Sequence, residues 1–163
     1  MTHLVLAVLI SFVSSPGWSQ GAKPDFTGKW SLDAAKSDFG QMPAPDSIVH
    51  DIDHKEPNVK ITTTQKSTAG ETSNTRTFST DGKESTNKIS MMGAEYPVAT
   101  SAKWEGQSLA VSASFDAQGN AIQLNDTWTL SPDGKVLTIA RVAKTPQGDF
   151  TTKSVYNKQA PAG

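Results

Sequence analysis

The densest group of chemistry-bearing side chains in the sequence is His50-Asp51-Ile52-Asp53-His54. On a β-strand the two histidines share a face, but at a rise of ~3.3 Å per residue they stand about 13 Å apart. Two ligands of one zinc ion lie only about 3–4 Å apart, because each is ~2 Å from the metal. The pattern therefore predicts no metal site here, and favours a polar edge strand whose charges face solvent.

Motifs of catalysis are otherwise missing from the sequence. Cysteine is absent, which excludes disulfides, thiolate chemistry and cysteine-ligated zinc. There is no Gly-rich phosphate loop, no paired-histidine metalloprotease motif and no nucleophile elbow. A net charge of −1 and only two arginines, Arg76 and Arg141, argue against a nucleic-acid partner. We therefore expect no catalytic residues, no metal and no cofactor.

One carboxylate, Asp126, stands on an otherwise apolar strand face close to Trp128. Such an acid either has a raised pKa or pairs with an arginine. We expect a structural salt bridge. A barrel enzyme would instead need acid–base work from Asp126, Tyr156 or a histidine, and the sequence does not bring these groups together.

The N-terminus has the pattern of an export signal. Leu4–Val13 is an apolar run of ten residues, which suits a signal peptide and is too short for a membrane span. Small residues follow it, so we predict a signal peptide over 1–19 with cleavage between 19 and 22. No cysteine follows the run, which excludes a lipoprotein anchor. We expect a protein exported to the periplasm or outside the cell, with no stable membrane anchor.

Short β-rich runs alternate with turn signals at roughly ten-residue spacing over 23–158, as in an all-β barrel or sandwich. Tight hairpins join nearly all of them, so we predict a single antiparallel up-and-down β-barrel of about eight to ten strands. Asp33 could cap one short helical turn. The flexible tail is predicted at 159–163. The predicted strands are Phe26–Leu32, Ser47–His54, Asn58–Lys66, Thr72–Thr80, Ser85–Met91, Val98–Trp104, Ser108–Phe115, Ala121–Leu130, Val136–Ala143 and Phe150–Asn157.

Period-two alternation assigns faces to the later strands. Leu124, Trp128 and Leu130 share a side with Asp126, and Ile139 shares a side with Arg141. The stretch 62–90 is different, because it is rich in Ser, Thr, Asn and Lys. Either it lines a wet interior, or it is an exposed polar face whose β-propensity comes from threonine.

The first strand opens with Asp25-Phe26-Thr27-Gly28-Lys29-Trp30, in which Gly28 allows close passage under the barrel end and Trp30 plugs it. This resembles the calycin superfamily, the lipocalins and fatty-acid-binding proteins. Lipocalins open with a similar Gly-x-Trp and stack a late-strand arginine on that tryptophan. The resemblance implies that Arg141 forms a cation–π stack on Trp30, and that Gly28, Trp30 and Arg141 close the barrel.

Further short segments resemble a broad group of small exported bacterial lipocalin-like proteins. The sequence departs from the better-known families, since it has no disulfide, too little room for a helix pair in Asp33–Asp46, and no Arg-x-Tyr pair. The segments are Lys36-Ser37-Asp38-Phe39, Lys103-Trp104-Glu105-Gly106, Trp128-Thr129-Leu130-Ser131-Pro132-Asp133-Gly134-Lys135 and Val155-Tyr156.

A barrel of about this strand number is wide enough for side chains plus one small ligand. We expect a small apolar or amphipathic molecule in the interior, although the tryptophans also suit a packed core. Two alternatives stay open: a filled barrel acting as an envelope interaction or assembly module, and a barrel-type enzyme. The oligomeric state stays open as well. The expected ligand lining is Trp104, Phe115, Trp128 and Tyr156, with Arg76 as an anion anchor.

Overall fold

Ten β-strands follow one another in the computed structural model, which describes residues 21–68, 70–91 and 93–160. Within these ranges the helical structure consists of one 3₁₀ turn, Ala34–Lys36. The strands are β1 (Gly28–Leu32), β2 (Ser47–Lys55), β3 (Asn58–Ser67), β4 (Gly70–Ser79), β5 (Ser85–Met91), β6 (Ala94–Glu105), β7 (Ser108–Ala117), β8 (Asn120–Leu130), β9 (Val136–Thr145) and β10 (Gly148–Lys158).

The strands form one antiparallel sheet of order β4-β3-β2-β1-β10-β9-β8-β7-β6-β5. Each pair of neighbours is consecutive in the chain except β1 and β10, which pair through Trp30–Lys158 and two further positions. The predicted up-and-down barrel is therefore confirmed. Most strands run slightly beyond their predicted ends. In β6 the extension includes Pro97. The pairing of β6 with β7 ends at Ala99, so Pro97 pairs with β5 alone and its other edge is free, which is where a strand tolerates proline.

The barrel is nearly but not fully closed. β4 and β5 lie side by side, but no backbone ladder joins them. Two asparagine side chains bridge this seam. Asn87 accepts a hydrogen bond from the Thr77 N–H at 2.7 Å and donates to the Thr77 carbonyl at 3.0 Å. Asn74 does the same with Ser90, accepting at 2.6 Å and donating at 3.1 Å. Each carboxamide thus takes the place of a peptide group of the missing ladder.

One end of the barrel, where β2 meets β3 and β6 meets β7, is filled by a packed core. Its inward side chains are almost without exposure, at 0% for Trp30 and 1% for Trp128. Trp30 also anchors the chain before β1, because its indole Nε1–H donates to the Phe26 carbonyl at 2.9 Å. The other members of this closed-end core are Phe26, Ile52, Val59, Ile61, Phe78, Ala102, Leu109, Val111, Leu137, Ile139 and Tyr156.

Phe26 is the centre of the closed end. Its ring stacks on Trp104 at 5.8 Å and on His54 at 5.7 Å, and meets the edge of Trp128 at 5.6 Å. Its N–H donates to His54 Nδ1, so Nδ1 is unprotonated and Nε2 carries the imidazole proton. The segment before β1 therefore crosses the barrel end and seals it.

Glu56 binds three polar side chains at the same end of the barrel. Its carboxylate accepts hydrogen bonds from His54 Nε2 at 2.9 Å, Trp104 Nε1 at 2.8 Å and Thr80 Oγ1 at 2.6 Å. Burial raises the pKa of Glu56, but the hydrogen bonds from Thr80, His54 and Trp104 outweigh it and hold the pKa below its ordinary value of 4.5. The carboxylate form thus joins β2, β4 and β6.

Two local expectations were wrong. β2 is not an edge strand, since it lies between β1 and β3, and His50 and His54 point into the barrel while Asp51 and Asp53 are exposed. Strand order, which local sequence does not encode, decides this. Asp33 does not cap the 3₁₀ turn through its side chain; its carboxylate binds Lys36 Nζ and Asn157 Nδ2 instead.

The predicted signal peptide lies outside the described residues. Within the described part of the chain, no helix has both the length and the apolar character needed to cross a bilayer. At the other end, Gln159 still donates its N–H to the Lys29 carbonyl at 2.8 Å. The predicted flexible tail stays a prediction for 161–163, which the structure does not describe.

Removing either seam asparagine is expected to weaken the barrel. Asn74→Ala and Asn87→Ala should each lower the free energy of unfolding by about 1–2 kcal/mol, because each deletes two hydrogen bonds to main-chain groups that no ladder replaces. Asn125→Ala is the matched control, since Asn125 accepts one exposed bond from Ser112 between laddered strands. Urea unfolding of the three variants gives the comparison, and equal losses would show that the seam has no special dependence on its asparagines.

The Glu56 carboxylate should make stability depend on acid pH. Its pKa is lowered in the folded state, so its contribution is complete above the ordinary value of 4.5 and is lost as the pH falls from there through the folded pKa. Glu56→Gln should cost about 1–2 kcal/mol at neutral pH, and the difference from wild type should shrink below that pH. Chemical unfolding over a pH series measures this. Glu105→Gln, an exposed acid paired with Lys103, should show no such trend.

Candidate functional site

The middle of the barrel carries charged and polar side chains on its inward face, above the closed-end core. We call this group the belt and define it as His50, Arg76, Asp126, Arg141 and Tyr156, the last of which also packs in the closed-end core. Strand register places them inward. Asp126 is opposite Arg141 across β8 and β9, and the residues two positions along these strands, Trp128 and Ile139, are buried in the core. Five different strands, β2, β4, β8, β9 and β10, supply one residue each.

The strongest interaction in the belt joins Arg141 and Asp126. Arg141 donates from Nε to Asp126 Oδ1 and from Nη2 to Oδ2, both at 2.7 Å. Two parallel bonds of this kind are the strong bidentate form of an ion pair. Burial lowers the pKa of Arg141, but the bonds and the charge of Asp126 outweigh it and raise that pKa. The predicted salt bridge of Asp126 is present.

Arg76 is the second arginine of the belt, and it takes no part in the Arg141–Asp126 ion pair. It faces inward beside Ile61 on β3, is half-buried, and makes no hydrogen bond or ion pair with any residue in the described ranges. Burial and the nearby Arg141 lower its pKa, and Asp126 raises it. Arginine remains charged in proteins even so. Two guanidinium cations thus face one carboxylate, and the belt has one uncompensated positive charge.

His50 and Tyr156 complete the belt as neutral groups. Their rings lie 4.5 Å apart at 43°, and His50 Nδ1 is 2.9 Å from Thr63 Oγ1. Burial, with Arg76 and Arg141 nearby, lowers the pKa of His50 to about 3. Burial raises the pKa of Tyr156 to about 12. Neither side chain exchanges a proton near neutral pH, so the belt presents a fixed pattern of charge to whatever enters the barrel.

Solvent reaches the belt from the open end of the barrel. The Arg141 side chain is 35% exposed although it points inward, whereas that of Asp126 is 5% exposed. Of the inward side chains beyond the belt, Tyr96, Phe115 and Leu124 are likewise half-buried, whereas the smaller Val98, Ala113 and Ala143 are buried. Tyr96 and Phe115 meet there at a ring distance of 6.4 Å. The upper half of the interior is therefore accessible and partly apolar.

Two open depressions mark the surface. One of about 710 Å³ lies at the open end, bordered by inward Phe115 and Ile122 and by outward Gln123 and Lys144. The other, of about 470 Å³, lies on the outer face of β2 to β4 next to the seam, with Lys55 and Lys60 on its border. Neither of these two depressions is an enclosed chamber, and neither is lined by a belt residue.

The five predicted lining residues all face inward but do not meet in one cluster. Trp104 and Trp128 lie in the closed end around Phe26, where core packing accounts for them. Phe115 lies at the open end, and Arg76 and Tyr156 lie in the belt. Their contact with a ligand stays a prediction. Sequence reasoning did not assign His50 to the interior. Its position two residues before the apolar Ile52, on the same strand face, could have indicated that it points inward.

The expected stack of Arg141 on Trp30 was wrong. Lys158 holds that position, with its Nζ 5.1 Å from the centre of the Trp30 ring. Arg141 instead binds Asp126, directly opposite it on β8. Gly28 makes room for the lysine, because a Cβ there would come 2.6 Å from Lys158 Cε, and its φ of 140° disfavours other residues. Gly28 and Trp30 thus close the barrel with Lys158.

The burial of His50 predicts a measurable pH dependence. Because its pKa is lowered to about 3 in the fold from an ordinary 6.5, the unfolded chain binds the proton more readily between these values. Stability should therefore fall as the pH drops below 6.5, and His50→Gln should remove part of that slope. The imidazole resonance of His50 in a pH-titrated NMR spectrum checks the value directly, and a midpoint near 6.5 would contradict it.

The chain has no match among models of known protein families, and a search of the curated proteins finds no similar sequence. Solved structures do match its fold. Zebrafish ileal bile acid-binding protein, in complex with cholic acid, is 19% identical with a TM-score of 0.52, covering 82% of this chain and 98% of its own.

Two proteins of Ramazzottius varieornatus match as well. A secretory abundant heat soluble protein is 16% identical with a TM-score of 0.54, covering 82% of this chain and 94% of its own. Secretory abundant heat soluble protein 4 is 16% identical with a TM-score of 0.53, covering 85% and 97%. Likeness at this identity concerns the fold alone. Together with the ten-strand meander, it shows that the chain folds as a calycin-like up-and-down β-barrel.

Proposed function

We propose that this protein binds a small amphipathic molecule in the upper half of its barrel, with an anionic group seated at the belt and an apolar part toward the open end. Its place of action is outside the cytoplasm, in the periplasm or beyond the cell, following the predicted signal peptide. The proposal rests above all on one observation, the unpaired Arg76 inside the barrel.

A cation that is half-buried and unpaired is costly, because it loses hydration without gaining a partner. Arg76 has five N–H donors and no acceptor among the described residues. Asp126 does not pair with Arg76, since both of its carboxylate oxygens are bound by Arg141. An anion at this position supplies what the fold does not. A carboxylate or sulfonate fits, because either offers acceptor oxygens to a guanidinium.

The apolar part of the ligand is accommodated by the open end. Half-buried Tyr96, Phe115 and Leu124 face inward there, and their remaining exposed surface would be removed from water at about 25 cal/mol per Å². Phe150, which is 39% exposed, lies opposite the inward Ala143 near the β9–β10 hairpin at this end. A cation below apolar walls is the arrangement that an amphipathic anion complements.

The comparison with solved structures supports this choice in a limited way. The zebrafish barrel is named as a bile acid-binding protein and its structure holds cholic acid, an amphipathic carboxylic acid. That describes the zebrafish protein. For the present chain it adds only that a barrel of this shape accommodates such a molecule.

Replacing Arg76 is expected to abolish the preference for an anion. Wild-type protein should bind dodecanoate at least about tenfold more tightly than dodecanol, which has the same tail without the charge. Arg76→Met should bring the two affinities together while keeping the side-chain length. Isothermal titration below the micelle concentration of dodecanoate and the solubility limit of dodecanol measures this. Lys144→Met, a lysine at the rim of the open end, is the control and should leave the preference in place.

The result that would overturn the proposal is equally direct. If dodecanoate and a panel of other amphipathic anions leave the wild-type heat and tryptophan fluorescence unchanged, the barrel is not a carrier of such molecules. Native mass spectrometry of the mature protein from its own host gives an independent measure, since organic extraction should remove a co-purifying small molecule. The filled-barrel interaction module then becomes the better description.

A further inference from the structure

We infer that Asp126 sets the charge of the accepted ligand: it occupies one of the two belt arginines as an internal counter-ion, so the barrel takes a head group with one negative charge and rejects one with two. This inference rests on the proposed function and deepens it. It concerns a residue whose sequence pattern indicated only a structural salt bridge.

The first step of the argument is the geometry of the pair. Both oxygens of Asp126 are held by Arg141 at 2.7 Å, and the aspartate lies directly opposite the arginine on the adjacent strand. Asp126 takes two of the five N–H donors of Arg141 and balances its positive charge. The charge of Arg141 is therefore compensated in advance, and one uncompensated cation of the belt remains for a ligand.

The second step is the charge count at the belt. Arg76 and Arg141 contribute two positive charges and Asp126 one negative charge, while His50 and Tyr156 are uncharged near neutral pH. A monoanion on Arg76 makes the belt neutral. A dianion leaves a net negative charge beside Asp126, in surroundings where charges are screened less than in water. The same fold with two free arginines would favour the dianion.

The third step is that packing alone does not require the pair. A buried ion pair can usually be replaced by apolar residues of similar volume without loss of stability. Here the pair also leaves the Arg141 side chain 35% exposed to the open interior. Its position at the ligand-accessible surface of the belt, rather than within the closed-end core, fits a role in selecting what binds.

The experiment compares dodecanoate with dodecyl phosphate, which is mostly dianionic at about pH 8.5. Wild type should prefer dodecanoate by roughly tenfold or more. Asp126→Asn removes the internal counter-ion and should reverse this preference. Asp126→Asn with Arg141→Gln restores the original charge count and should restore the original order. Asp51→Asn makes the same change of charge on the outer face and should leave the ratio unchanged.

Two outcomes separate this inference from the proposed function. If wild type binds dodecanoate but the ratio is the same in Asp126→Asn, the inference is wrong and the proposed function stands. If wild type binds neither compound, both are wrong. Should Asp126→Asn fail to fold, Arg141→Gln alone decides: it makes the belt neutral, so dodecanol should bind at least as tightly as dodecanoate, and a retained preference for dodecanoate would overturn the inference.

Discussion

The burial of Phe26 beneath the barrel is the interaction on which the rest of this structure depends. A ring of this size contributes about 3 kcal/mol when it leaves water, and three aromatic side chains contact it at once. Its main-chain groups also bind Trp30 and His54, so the segment before β1 is held at two further points. Because the core is concentrated at this end, the other half of the interior can hold the polar belt and half-buried apolar side chains. A barrel filled evenly from end to end would have no such asymmetry.

The features predictable from the sequence were those that local rules decide. Hairpin signals such as Asp81-Gly82 and alternation such as that of Leu124, Asp126 and Trp128 depend on neighbouring residues only, and they gave the strands and their faces. The position of β2 between β1 and β3 depends on the whole sheet, so His50 and His54 were wrongly assigned to solvent. The polar stretch 62–90 admitted two interpretations. Thr63, Asn74 and Arg76 of this stretch face inward, so part of it lines the barrel interior.

The candidate site was less predictable, for a related reason. Arg76 and Tyr156 could be identified by residue type, but their meeting with His50 depends on strands far apart in sequence. The resemblance to lipocalins assigned Arg141 to Trp30, whereas register puts it opposite Asp126 and gives Lys158 the place on the indole. A family pattern transfers the shape of a barrel more securely than it transfers the partner of one side chain.

The order of the strands has a consequence for how the protein folds. Except for the β1–β10 ladder, every ladder joins strands that follow each other in the chain. The two meanders, β1 to β4 and β5 to β10, can therefore each form by pairing strands that are close in sequence. They meet at the asparagine seam, at the closed end around Phe26 and Glu56, and through the three pairs of β1 with β10, two strands from opposite ends of the described chain. Bringing these distant stretches together carries most of the loop-closure entropy. We therefore expect closure of the cylinder to be a late event in folding, which completes the interior after both halves have formed.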